Sequence, residues 1–91
     1  MTLRSGGQIL VDQLKIHGAR HVFCVPGESY LAVLDALHDA DIETVVCRQE
    51  GGAAYMAEAC GKLTGRPGLA FVTRGPGAAN AAIGIHPAAQ D

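Results

Sequence analysis

Three short apolar runs punctuate the chain, at residues 21–25, 43–47 and 69–73, and each ends at a glycine-bearing turn ahead of a stretch with helical spacing. Runs of this length, rich in β-branched residues and bounded by turn signals, predict buried strands. Between them the period changes. Residues 5–17 carry Ile9, Gln13 and Ile16 beside Leu10, Leu14 and His17, a spacing that predicts a first helix with Gly18 as its stop. Residues 30–40 predict a second, with Leu31, Val33, Leu34 and Leu37 on a buried face, Asp35, His38 and Asp39 on a wet one, and Ser29 as its cap. Residues 51–64 predict a third, whose inward candidates Ala53, Ala54, Ala57, Cys60 and Gly61 are all small. That surface suits either an ordinary alanine-rich helix or one packed tightly on another helix, a second subunit's included. Gly65-Arg66-Pro67-Gly68 then breaks the chain before the last run.

Strands alternating with helices predict an α/β fold of three layers, a parallel sheet with helices on both faces. In that arrangement the turns at Pro26-Gly27-Glu28, Glu50-Gly51-Gly52 and Gly75-Pro76-Gly77 gather at the carboxyl edge of the sheet, where such folds bind ligands. Glu50 ends a β-branched run directly before two glycines, between two backbone-rich loops, and is the first candidate for chemistry. The segment Arg74-Gly75-Pro76-Gly77-Ala78-Ala79-Asn80 reads as a loop whose N–H groups, with the helix start behind it, could hold an anion or a polar heterocycle. It matches neither the GxxxxGK[ST] nor the GxGxxG pattern, so the usual nucleotide signatures are missing.

Charge narrows the choice of partner. Nine acidic against seven basic side chains give a net charge of -2 over 91 residues, which argues against nucleic acid or an anionic membrane. Only 4% of residues are aromatic, so the core must come from Val, Ile and Leu. The first residues lack the apolar core of a signal peptide, and nowhere do about 18 apolar residues run together as a membrane span requires. A cytoplasmic protein is the expectation. Cys24, Cys47 and Cys60 are odd in number and far apart, and His17, His21, His38 and His86 are scattered, so neither a disulfide framework nor a metal site is expected.

Several motifs coincide in register. Val22-Phe23 with Pro26-Gly27, Arg48-Gln49-Glu50-Gly51-Gly52-Ala53-Ala54 with Ala57-Glu58, Thr64-Gly65-Arg66-Pro67-Gly68, and Gly75-Pro76-Gly77-Ala78 with Asn80 resemble the amino-terminal pyrimidine-binding domain of thiamine diphosphate enzymes of the acetolactate synthase type. The resemblance spans residues 2–91 in order and interval. It implies that Glu50 bonds a ring nitrogen of the cofactor's aminopyrimidine, favouring the imino tautomer whose exocyclic nitrogen deprotonates the thiazolium carbon that then attacks a 2-keto acid. It further implies that Pro26 and Gly27 lie along the pyrimidine, and that Thr73, Pro76, Gly77 and Asn80 shape the neighbouring loop. Glu28, Gln49 and Arg74 depart from the acetolactate synthase pattern, where glycine, histidine and serine are common, and related decarboxylases, carboligases and oxidases share the frame.

Enzymes of this type run to several hundred residues and hold the diphosphate and magnesium in a separate carboxyl-terminal domain with a Gly-Asp-Gly start. No such start occurs here. Residues 1–91 are therefore expected to be the first part of a pyrimidine-binding domain, inactive alone and completed by a second subunit of a homodimer or homotetramer. FAD is compatible with the resemblance but not indicated by these residues. The alternative is a noncatalytic α/β binding or interaction module that kept the frame without the chemistry.

Overall fold

Ser5 starts the first helix by a reciprocal cap: its hydroxyl accepts the Gln8 N–H at 3.1 Å, while the Gln8 side chain accepts the Ser5 N–H at 2.7 Å. From there a computed structural model, describing residues 3–90, runs α1 (Gly6–Ile16), β1 (His21–Cys24), a 3-10 turn (Glu28–Tyr30), α2 (Leu31–His38), β2 (Glu43–Val46), α3 (Glu50–Thr64), β3 (Ala70–Phe71) and α4 (Pro76–Gln90). The three strands pair in parallel in the order β2-β1-β3. The first crossover steps one way across the sheet and the second steps back past β1. With both right-handed, α2 and α3 fall on opposite faces. Packing agrees, since α1 lies against α2 and α3 against α4. The expected three-layer α/β architecture is present.

Each face has its own core. Val11, Val22, Val33, Leu37 and Ile42 cluster on the α1/α2 side, whereas the α3/α4 side buries Ala53, Ala54, Ala57 and Ala81. Gly84 shows how close that second contact is: a Cβ there would come 2.4 Å from the Cβ of Ala54. Of the two readings of α3, tight packing on another helix is correct, and within the described residues the partner is α4.

The buried faces differ from expectation in two helices. In α1 the inward stripe is Gly7, Val11 and the half-buried Leu14, while Ile9 and Ile16 are exposed. Two apolar stripes competed, and the one containing Gly7 won because a Cβ at that position would come 2.3 Å from the Ala32 carbonyl oxygen, an approach only glycine permits. In α2, Val33 and Leu37 are buried four residues apart, but Leu31 is 60% exposed because the 3-10 turn delivers it as the helix's first residue. Ser29 does not cap this helix. Its hydroxyl instead lies 2.8 Å from Thr73 Oγ1.

The strands are shorter than their apolar runs. β2 lies at an edge and is only half-buried, and β3 has two residues. Hydrogen bonds from Phe23 N–H to Leu69 O (3.0 Å) and from Val25 N–H to Phe71 O (3.2 Å) carry the β1–β3 ladder slightly further.

Candidate functional site

All three strands point their carboxyl ends the same way, and β1 sends its chain to the opposite face from β2 and β3. The crevice that opens where connections diverge is where ligands bind in sheets of this kind. After β2 the Cys47 N–H still bonds the Cys24 carbonyl at 2.7 Å, and then Gln49 turns extended to cap α3. Gln49 Oε1 accepts the N–H groups of Gly51 (2.6 Å) and Gly52 (3.3 Å). Glutamine is an unusual residue for this position. Gly51 makes it workable, because a Cβ there would come 2.7 Å from that oxygen.

Glu50 thereby becomes the first residue of α3, half-buried, with its carboxylate at the positive end of the helix dipole. Asn80, one turn into α4, donates from Nδ2 to Glu50 Oε1 at 3.2 Å. The other oxygen, Oε2, lies beside the buried Gly77, where a Cβ would come 3.4 Å from it and 2.9 Å from Thr73 Cγ2. Gly27 packs on the same threonine, since a Cβ there would come 2.5 Å from Thr73 Cβ. The structure therefore brings together Gly27, Glu50, Thr73, Gly77 and Asn80. Pro26 and Pro76 are exposed and flank the two glycines in sequence.

The segment read as a Gly-Pro-Gly loop is mostly helix. α4 begins at Pro76, which suits a first helical position because its missing N–H is not needed there. Gly75 supplies the turn at φ 69°, a left-handed conformation that favours glycine, and its carbonyl accepts the Ala79 N–H at 2.9 Å.

Tyr30 escaped the sequence reading. Its hydroxyl bonds the Val25 carbonyl and, at 3.1 Å, the Phe71 carbonyl, and its ring stacks on Phe71 with centroids 5.8 Å apart. It thus ties the end of β1 to the end of β3, the two walls of the crevice. Burial, then the neighbouring Cys24 and Glu50, push its pKa up to about 12, which keeps the phenol neutral and donating. The available signal was a tyrosine three residues beyond Pro26-Gly27, since a buried tyrosine hydroxyl needs partners. Burial, with Cys47 adding to it, also raises the Cys24 thiol, making it a packed group rather than a nucleophile.

Chemically, the site offers one carboxylate oxygen held by a carboxamide, a second with no hydrogen-bond partner among the described residues, and two glycines against which Thr73 packs directly. Among the described residues no three His, Cys, Asp or Glu side chains converge as metal ligands, and no helix is long and apolar enough to cross a membrane.

Residues 4–91 match the family described as "Thiamine pyrophosphate enzyme, N-terminal TPP binding domain". The chain belongs to this family. Among curated relatives it is 50% identical over 80 residues to the acetolactate synthase of Bacillus subtilis (strain 168), covering 88% of this chain and 14% of that protein. It is 39% identical over 87 residues to the acetolactate synthase isozyme 2 large subunit of Escherichia coli (strain K12), covering 96% of this chain and 16% of that protein. With the catabolic acetolactate synthase of Raoultella terrigena the identity is 42% over 80 residues. The chain thus spans about one-seventh of the length of these acetolactate synthases.

Proposed function

We propose that this chain is the pyrimidine-binding portion of a thiamine diphosphate enzyme acting on 2-keto acids, an acetolactate synthase-like carboligase or decarboxylase, with Glu50 as its catalytic carboxylate. The observation that carries the proposal is the asymmetry of Glu50: Oε1 is engaged by Asn80, and Oε2 has no hydrogen-bond partner among the described residues. The family supports the ligand class, and Glu50 and Asn80 supply the polar groups for an aminopyrimidine, beside Gly27 and Gly77, on which Thr73 packs too closely for any side chain.

Bound there, thiamine diphosphate would supply the thiazolium carbon that attacks a 2-keto acid. Glu50 Oε2 would share a proton with a ring nitrogen of the aminopyrimidine, and Asn80 would fix the carboxylate's rotation so that this oxygen stays available. The half-buried setting and the α3 dipole favour a short, charge-assisted hydrogen bond over hydration. Pro26, Gly27, Thr73, Pro76 and Gly77 would border the pyrimidine. Magnesium and the diphosphate would be held by residues beyond this chain, and a second subunit of a homodimer or homotetramer would complete the site. We further propose a cytoplasmic location, while FAD is compatible with the resemblance but not indicated by these residues.

The test is an assay of purified protein carrying this chain with pyruvate, with and without thiamine diphosphate and magnesium. Consumption of pyruvate only when both are present is the expected result. Tight cofactor binding without turnover of any 2-keto acid would favour the noncatalytic module.

A further inference from the structure

At the edge of the sheet opposite Glu50, the carboxyl ends of α1 and α3 and the amino ends of β1 and β3 line a solvent-open cavity of about 770 Å³. Its wall has two kinds of chemistry. Leu14, Ala19, Pro67 and Leu69 make it apolar on one hand, and His17, Arg20, His21 and Arg66 supply cationic or protonatable groups on the other. No aspartate or glutamate lines it, although the chain carries nine acidic residues and a net charge of -2.

Arg66 is anchored, its Nη1 donating to the Gly18 carbonyl at 2.9 Å where the chain turns at φ 81°. One donor of the guanidinium is spent on this bond and four remain. Arg20 makes no side-chain hydrogen bond or ion pair among the described residues. Of the lining residues His21 has an acidic neighbour, Glu43, whose Oε2 lies 3.8 Å from His21 Nε2 and which is itself outside the lining.

Two guanidinium groups beside an apolar wall, neither of them in an ion pair among the described residues, suit an oxyanion attached to an apolar body. We propose that this cavity binds a small organic anion, a phosphate or a carboxylate, at a site separate from the crevice at Glu50. Arg20 and Arg66 take the oxyanion, and Leu14, Pro67 and Leu69 take the apolar part.

Calorimetry at low ionic strength on protein carrying this chain tests it, with phenyl phosphate, benzoate and inorganic phosphate as probes. At least one of the two aromatic anions is expected to bind with Kd at or below about 1 mM, and inorganic phosphate at least about tenfold more weakly because it forgoes apolar burial. Arg20→Gln should weaken the aromatic probe by about tenfold or more, the loss of a charge-assisted hydrogen bond, and Arg20→Lys should restore part of that loss. Phenyl phosphate and benzoate distinguish the two oxyanions by which binds more tightly. The proposal is overturned if neither aromatic anion binds, if Arg20→Gln leaves the affinity unchanged, or if inorganic phosphate binds as well as phenyl phosphate.

Discussion

Asn80 holds the Glu50 carboxylate directly, and Tyr30 ties together the strand ends beside it. Asn80 donates to a carboxylate, a bond to a charged group worth about 1.5–3 kcal/mol, so Asn80→Ala should lower turnover in the complete enzyme by roughly tenfold to a hundredfold. The decrease should exceed any change in melting temperature, because the bond is exposed and at the site. Tyr30→Phe acts differently. It removes the donor shared by the Val25 and Phe71 carbonyls and should destabilise the fold by about 1–3 kcal/mol. It should also change the alkaline limb. The folded chain holds the phenolic proton up to about 12, above the ordinary value of 10.0, so the folded state binds that proton more tightly than the unfolded one. Stability from Tyr30 is then fully present below pH 10.0 and lost as pH rises towards about 12. Thermal melts of both proteins across that range should show a steeper decline for the unaltered chain than for Tyr30→Phe. Glu50's position, after β2 and at the start of α3, was legible in the sequence because a carboxylate at a strand end before two glycines is a positional signal. Tyr30 was not, since its role comes from a hydrogen bond 41 residues away in sequence.

Helices were the most legible elements. α1 and α3 begin and end within one residue of the expected bounds, as Ser5 and Gln49 start them and Gly18 and Gly65 follow their ends. Which face each helix buries was less legible, because periodicity proposes stripes and close backbone contact chooses among them, as Gly7 does in α1. β3 was overestimated because an apolar run records burial rather than strand pairing. The α3/α4 contact makes a prediction at this scale. Gly84→Ala would place a methyl group 2.4 Å from Ala54 Cβ and 2.9 Å from its carbonyl carbon, so it should cost about 1–3 kcal/mol by overpacking. In a domain of this size that lowers the melting temperature by several degrees, roughly 4–8 °C per kcal/mol. Ala54→Gly in the same chain should recover part of the loss, which a melt of the double variant would show.

For the molecule as a whole, what stays uncovered matters as much as what is packed. β2 and β3 both lie at sheet edges, and Tyr55, Met56, Ile83 and Ile85 on α3 and α4 are exposed apolar residues. Unpaired edges and contiguous apolar surface recruit other chains. The 91-residue chain by itself is therefore expected to self-associate at low micromolar concentration, and a monomer with a sharp thermal transition in sedimentation and melting experiments would contradict this. The two ends of the sheet would then serve different purposes, cofactor chemistry at the carboxyl edge and anion binding at the amino edge. The central claim concerns the first of these, and the most direct measurement is turnover of a 2-keto acid by the complete protein carrying Glu50→Gln beside the unaltered protein. Glutamine keeps the size and the Asn80 contact but cannot exchange a proton with a ring nitrogen. The expected result is a loss on the order of a hundredfold to ten-thousandfold with the fold retained, whereas near-normal turnover by the folded variant would show that Glu50 is not the catalytic carboxylate.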